Sequence, residues 1–106
     1  DGTPCQVPGN FNVTPAADRD LEQACGWYNE KQSGLGDRFV LATRERFEVI
    51  LRWPELPRAF GRKAIRKLRI PRSPYSIYYR VIGQEIQVVA IVHGARDPNY
   101  LNYRLR

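Results

Sequence analysis

Tyr75-Ser76-Ile77-Tyr78-Tyr79-Arg80-Val81-Ile82, then Gly83-Gln84, then Glu85-Ile86-Gln87-Val88-Val89-Ala90-Ile91-Val92-His93, is the stretch that decides the fold. Its first run is β-branched and aromatic, and it alternates. Ile77, Tyr79 and Val81 fall on one side and Tyr78 and Arg80 on the other, the period-two spacing of a strand. Gly83-Gln84 is a two-residue turn with glycine first, which suits a type II′ hairpin. The second run is the most apolar in the chain. It puts Ile86, Val88, Ala90 and Val92 on one face and Val89 and Ile91 on the other. A strand apolar on both faces belongs in the middle of a sheet. Just upstream, Ala64–Ile70 alternates too, Leu68 and Ile70 against Lys67 and Arg69, and Pro71 and Pro74 close it.

Working back towards the N-terminus, the period changes to that of helices. Thr14-Pro15 is a helix start, because threonine caps free N–H groups and proline fits the first helical position. Asp18 and Asp20 suit the positive end of the helix dipole. Ala17, Leu21, Ala24, Cys25 and Tyr28 follow at helical spacing, and Ser33-Gly34 breaks the pattern. A second helix is predicted from Leu35 to Trp53, ended by Pro54. Leu35, Phe39, Ala42, Val49, Ile50 and Trp53 share one face, and Val40, Phe47 and Leu51 form a second stripe. Two apolar stripes predict a helix covered on both sides, or one that offers a side to a partner. Gly34-Leu35-Gly36 is too short for a phosphate loop and reads as the turn of an antiparallel helical hairpin. A short strand, Phe11–Val13, precedes the helices, and the Tyr-, Asn- and Arg-rich tail from Asp97 predicts a turn and a short helix. The order is β-α-α-β-β-β, an α+β two-layer domain with the helical hairpin packed on an antiparallel sheet. The opposite sheet face is then an open surface carrying Lys67, Arg69, Tyr78 and Arg80.

Size and composition fit this layout. The 106 residues hold one domain, assigned to residues 10–106, and Asp1–Gly9 is set aside as an appended or trimmed leader, since the chain has no methionine. No run of about 18 apolar residues exists, so no membrane helix is predicted. Hydrophobic residues at 42% and charged residues at 26% make a soluble globular chain. Cys5 and Cys25 are too few for a disulfide scaffold; in a cytoplasmic protein they stay reduced, and Cys25 reads as a small buried hydrophobe. The net charge is +6, unevenly placed. Residues 1–55 carry six basic and nine acidic side chains. Residues 56–84 carry eight basic ones (Arg58, Arg62, Lys63, Arg66, Lys67, Arg69, Arg72 and Arg80) and no acid. That asymmetry points either to an anionic partner or to a solvated surface that keeps the protein in solution.

Few classes of chemistry have the residues they need. One histidine and two separated cysteines make no metal cluster, no nucleotide-binding glycine motif is present, and no nucleophile stands in a recognisable relation to His93. No cofactor is implied. The remaining candidates are basic and aromatic. His93 ends the last strand and Arg96 follows in Gly94-Ala95-Arg96-Asp97-Pro98. A His, an Arg and a Tyr meeting there could bind phosphate or assist phosphodiester cleavage. Equally, His93 could bond backbone and Arg96 could pair with Asp97 or a helix carboxylate. Tyr75 and Tyr79 read as core, Tyr78 and Tyr100 as residues able to stack on bases.

Several of these segments resemble one family. Ala24-Cys25-Gly26-Trp27-Tyr28, then Gly34-Leu35-Gly36-Asp37-Arg38-Phe39, then Glu48-Val49-Ile50 before Pro54 resemble the helical hairpin of ParE-like toxins. Pro74-Tyr75-Ser76-Ile77-Tyr78-Tyr79-Arg80-Val81 resembles their Phe-Pro-Tyr-x-Ile-Tyr-Tyr strand, and Val92-His93-Gly94-Ala95-Arg96-Asp97-Pro98 their closing His-x-x-Arg-Asp-Pro motif. Together the matches run from Phe11 to Tyr100 in the right order. The resemblance to the RelE/ParE superfamily implies the toxin of a bacterial type II toxin–antitoxin pair, a plasmid-stabilisation type of protein, held by a cognate antitoxin as a hetero-oligomer or forming a homodimer.

The resemblance leaves the target open. ParE-like members are similar to inhibitors of DNA gyrase that bind and do no chemistry; RelE-like members cut mRNA on the ribosome. Arg96 matches the arginine that RelE-like toxins place after the last strand. Ser76 stands where many of them have a second arginine, and Ala95 where some have lysine. Cleavage needs several cations around a pentavalent phosphate, so these gaps favour the ParE-like reading. On that reading the helical hairpin with the Arg96 region is the expected contact surface, and Arg66, Lys67, Arg69, Tyr78, Arg80, His93, Arg96 and Tyr100 bind target or antitoxin. The alternative ribonuclease would use Arg66, Arg80, His93, Arg96 and Tyr100. A third reading is a degenerate, non-toxic module that binds nucleic acid or protein. Ser73 departs from the family, which commonly has an aromatic residue before Pro74, and looser packing is expected there.

Overall fold

The structure, a computed structural model, describes residues 11–94 together with Leu101, Arg104 and Leu105. Its elements are β1 (Phe11–Val13), α1 (Pro15–Lys31), α2 (Leu35–Arg52), β2 (Arg66–Arg69), β3 (Tyr75–Ile82) and β4 (Glu85–His93). Both helices pack on one four-stranded sheet of order β1-β4-β3-β2. This is the α+β layout expected, with one difference. β3 pairs antiparallel with both neighbours, but β1 runs parallel to β4, with Phe11 opposite Ile86, so the sheet is mixed. A strand that returns after an intervening helical hairpin can come back parallel, and no local pattern in three residues records the direction.

The helix ends are set by the residues that announced them. Thr14 Oγ1 accepts from Ala17 N at 3.1 Å, and Pro15 occupies the first turn. Gly34 takes the left-handed conformation, φ +90°. Asn29 Oδ1 then accepts from both Gly34 N and Gly36 N, at 3.1 and 2.8 Å, and so ties the end of α1 to the start of α2. Gly36 is required for a second reason. A Cβ there would meet the Cys25 carbonyl and lie 2.7 Å from the Asn29 amide, so only glycine lets the two helices come this close. Cys25 itself is half-buried rather than fully enclosed.

Phe11, Ala17, Ala24, Phe39, Phe47, Ile50, Ile70, Ile77, Tyr79, Ile86, Val88 and Ile91 form the core between helices and sheet. The α2 stripes resolve into one buried face holding Phe39, Thr43, Phe47 and Ile50. Trp53 does not share it. It lies beyond the last helical turn, 53% exposed, beneath the Arg52 guanidinium.

β4 departs from simple alternation. Tyr78 pairs with Ala90 but Tyr79 with Val88, so Val89 is an extra residue, a β-bulge. The bulge shifts the phase. Ile86, Val88 and Ile91 face the helices, whereas Val89, Ala90 and Val92 face the other way. Those three join Ile65 and Leu105 in a second small core, with Leu101 and Tyr78 packed against it. The far face of the sheet is thus partly covered by the C-terminal segment and is not the wholly open surface expected. β2 is also shorter than the predicted 64–70 run. Ala64 sits at φ +51° just before it, and Ile70 is buried beneath the helices just after it. At the hairpin, Gly83 has φ +61° and Gln84 stays out of the left-handed region, as a type II′ turn requires.

Candidate functional site

The cations predicted to share a site are divided between the two sheet faces. Lys67 and Arg69 on β2 and Tyr78 and Arg80 on β3 project from the far face, with Lys67 opposite Tyr78 and its ammonium 5.9 Å from the ring centre. Arg80 Nε donates to Gln87 Oε1 at 2.8 Å, and Arg69 Nε to the Ser73 carbonyl at 3.2 Å. Together they form one basic and aromatic strip across the edge strand β2 and its inner neighbour β3.

Arg66 points the other way. Its guanidinium donates to the backbone carbonyls of Glu55 and Pro57, so it ties down the loop after α2 and is not part of the strip. Tyr79, 0% exposed, donates from its hydroxyl to the Pro54 carbonyl at 2.8 Å and supports the same loop. Burial raises the Tyr79 phenol above its ordinary value of 10.0, against a smaller opposing pull from Arg66, so it remains a donor at neutral pH.

His93 also sits apart from the strip. It pairs with Tyr75 across β3 and β4 and packs edge-on to that ring at 5.5 Å. A cavity of about 220 Å³ lies beside it, lined by Asp20, Gln23, Trp27, Tyr75, Val92 and His93. The run from Tyr75 to Arg80 places His93 and Arg80 at roughly opposite ends of a 16 Å stretch of strand, and on opposite faces. Arg96 and Tyr100 lie outside the described residues.

Two features went unread in the sequence. Asp20 reaches past the end of β1 to the exposed edge of β4, where it accepts from Ile91 N at 3.0 Å. Arg104 clamps the same carboxylate with two bonds of 2.8 Å and donates to the Val89 carbonyl at 3.0 Å. The pair is largely buried, 16% and 9% exposed, and with the bond from Lys63 Nζ to the Leu105 carbonyl it pins the C-terminal segment to the sheet. Nothing local marks Asp20 for this role. The second feature is an apolar groove of about 460 Å³ between α2 and the β2–β3 connection, floored by Tyr28, Leu35, Phe39 and Ile70 and edged by Arg38 and Arg72. Ser73 at its end is 5% exposed and well bonded. Its hydroxyl accepts from Tyr75 N and meets the Tyr28 hydroxyl at 3.2 Å, so hydrogen bonds fix this residue where the groove leaves open space beside it. Among the described residues there is no cluster of metal-ligating side chains, and no helix is long and apolar enough to cross a membrane.

The sequence model of the family described as "ParE toxin of type II toxin-antitoxin system, parDE" matches residues 11–98. The chain belongs to the ParE toxin family. The match takes in every helix and strand described above. In structure the chain is similar to a protein of the chromosomal ParDE toxin–antitoxin system of P. aeruginosa, at a TM-score of 0.61 and 22% identity, over 79% of this chain and 94% of that one. At that identity the likeness is one of fold. No curated protein matches the sequence. In this ParE toxin the helical hairpin and sheet are therefore common property, while the particular residues of the strip, the groove and the Asp20 clamp are read from this chain.

Proposed function

We propose that the protein acts as the toxin of a type II pair by binding DNA gyrase, without chemistry of its own, and that a cognate antitoxin restrains it. Family membership supports the toxin role. The observation that carries the binding mechanism is the division of the cations. A nuclease would need Arg66, Arg80 and His93 to converge on one phosphate. Here Arg66 serves a loop on the helix side, Arg80 is paired with Gln87 on the far side, and His93 packs at the other end of the strand. The strip of Lys67, Arg69, Tyr78 and Arg80 is suited to holding the acidic segment of an antitoxin by charge complementarity. Arg96 and Tyr100, which lie outside the described residues, are retained as proposed binding residues on the family resemblance alone.

The test is tightly controlled expression in a bacterium that carries a DNA-damage reporter. Growth arrest with the reporter on is the expected result, and Arg96→Ala is expected to abolish it. Arrest with the reporter silent would refute the gyrase reading and favour mRNA cleavage. Failure to arrest growth, with folded protein present, would leave the degenerate binding module.

A further inference from the structure

The segment after α2 presents three large apolar side chains to solvent within eight residues: Trp53 at 53%, Leu56 at 70% and Phe60 at 47% exposure. Scattered surface apolar residues need no explanation, but a concentration of them does. This one is not a slack loop. Leu56 N donates to the Trp53 carbonyl at 3.1 Å, and Phe60 and Ile65 exchange two backbone bonds of 2.9 Å. Arg66 and the buried Tyr79 hydroxyl take up the carbonyls of Pro54, Glu55 and Pro57. Two polar side chains from the sheet are thus spent on fixing the shape of a surface loop whose apolar side chains point outward. A surface held in its bound shape loses less entropy on binding, and aromatic anchors among arginines are the usual composition of energetically dominant contacts.

From this we infer that residues 53–63 form a preorganised docking platform for a folded, acidic protein surface with an apolar depression; on the reading above, on which this inference rests, that surface belongs to gyrase. Three features select this occupant. Projecting anchors on a fixed backbone fit a concave folded surface, whereas an extended peptide fits a groove such as the one beside Phe39. Arg52 lies over the Trp53 ring, Arg58 and Arg62 are neighbours of the anchors in sequence, and Glu55 is the lone acid in the segment, so a second copy in a symmetric contact would set like charges against each other. Leu56, the most exposed of the three, is aliphatic and cannot stack on a base, which disfavours nucleic acid.

The experiment compares wild type, W53S/L56S/F60S, R58E/R62E and the remote control L41S, in direct binding to purified gyrase of the bacterium that carries the gene, in inhibition of its supercoiling, and in binding to plasmid DNA alone. Leu41, at 58%, falls within the range of exposure of the three anchors but sits on α2 away from the loop. All four should unfold at similar temperatures. The triple variant should lose at least about tenfold in gyrase binding and inhibition. R58E/R62E should weaken both in a salt-dependent way, and L41S should match wild type. Gyrase binding within twofold of wild type by both loop variants would overturn the platform while leaving the gyrase reading standing. A loss confined to DNA binding would overturn it in favour of nucleic acid. Wild type that neither binds nor inhibits gyrase would refute the gyrase reading, and this inference with it.

Discussion

Removing the Asp20 carboxylate tests how the C-terminal segment is held. Asp20→Ala removes the carboxylate that the Arg104 guanidinium, 16% exposed, grips with two bonds, and it removes the acceptor of Ile91 N. A buried pair broken on one side costs about 3 to 5 kcal/mol, and an exposed one about 0.5 kcal/mol. Residual exposure of both groups places this pair at the lower end of the buried range, at about 3 kcal/mol. For a domain of this size that is a fall of roughly 12 °C in melting temperature. Asp20→Asn keeps the shape and one acceptor and should lose about half as much. The double variant D20A/R104A should be less damaging than the sum of the singles by about 1 to 2 kcal/mol, because the bond between the two side chains is lost only once. Urea unfolding gives these values. Amide exchange adds a local reading, since Ile91 should lose protection selectively in Asp20→Ala. A loss below about 0.5 kcal/mol, or strict additivity in the cycle, would refute the argument that this clamp is a buried one.

The remaining predictions concern other parts of the fold. Gly36→Ala should cost about 3 kcal/mol or more in urea unfolding, because the added methyl meets the Cys25 backbone and the helices must separate. Gly26→Ala, with open space at its Cβ, serves as the harmless control. Tyr79→Phe should cost about 1 kcal/mol at pH 7 through the lost bond to the Pro54 carbonyl. It should also change the alkaline limb of stability. The folded phenol titrates above its ordinary value of 10.0, so the unfolded chain releases its proton first. Wild type therefore loses stability as pH rises from about 10 through the folded value, and the phenylalanine variant lacks that component; denaturant midpoints between pH 8 and 11 would show it. K67E/R80E should weaken antitoxin binding by about tenfold or more at low salt and less at high salt, which titration calorimetry at two ionic strengths would measure.

What the sequence made legible was what local chemistry decides. Thr14-Pro15, Gly34 and Pro54 bound the helices because a cap, a left-handed glycine and a proline act on their immediate neighbours. The strand pattern of β3 survived for the same reason. What escaped depends on contacts across many residues. Alternation alone put Ala90 with Ile86 and Val88. The bulge at Val89 reverses that, and its cause is the pairing with β3 together with a second core that needs Ile65 and Leu105. Arg66 was counted with Lys67 and Arg69 as part of one basic run, yet neighbours on a strand face opposite ways, and the loop carbonyls on the helix side claim it. Asp20 has a sufficient local explanation in the dipole of its own helix, and no residue near it in sequence points to the edge of β4.

The same distinction bears on function. A run of eight cations suggests one binding site when read along the chain. Folded, the run disperses: Lys67, Arg69 and Arg80 lie in the strip on the far face, Arg66 shapes a loop on the near face, Lys63 holds the Leu105 carbonyl, Arg72 edges the groove, and Arg58 and Arg62 belong to the loop after α2. A charge run on a strand should therefore be halved before it is counted as a site. What the near-face half contributes here is the fixed backbone that carries Trp53, Leu56 and Phe60 outward. Charge on one face and rigidity on the other are separate resources for a binding protein. On the proposed function, which asks the toxin to hold both an antitoxin and a target, each has a use.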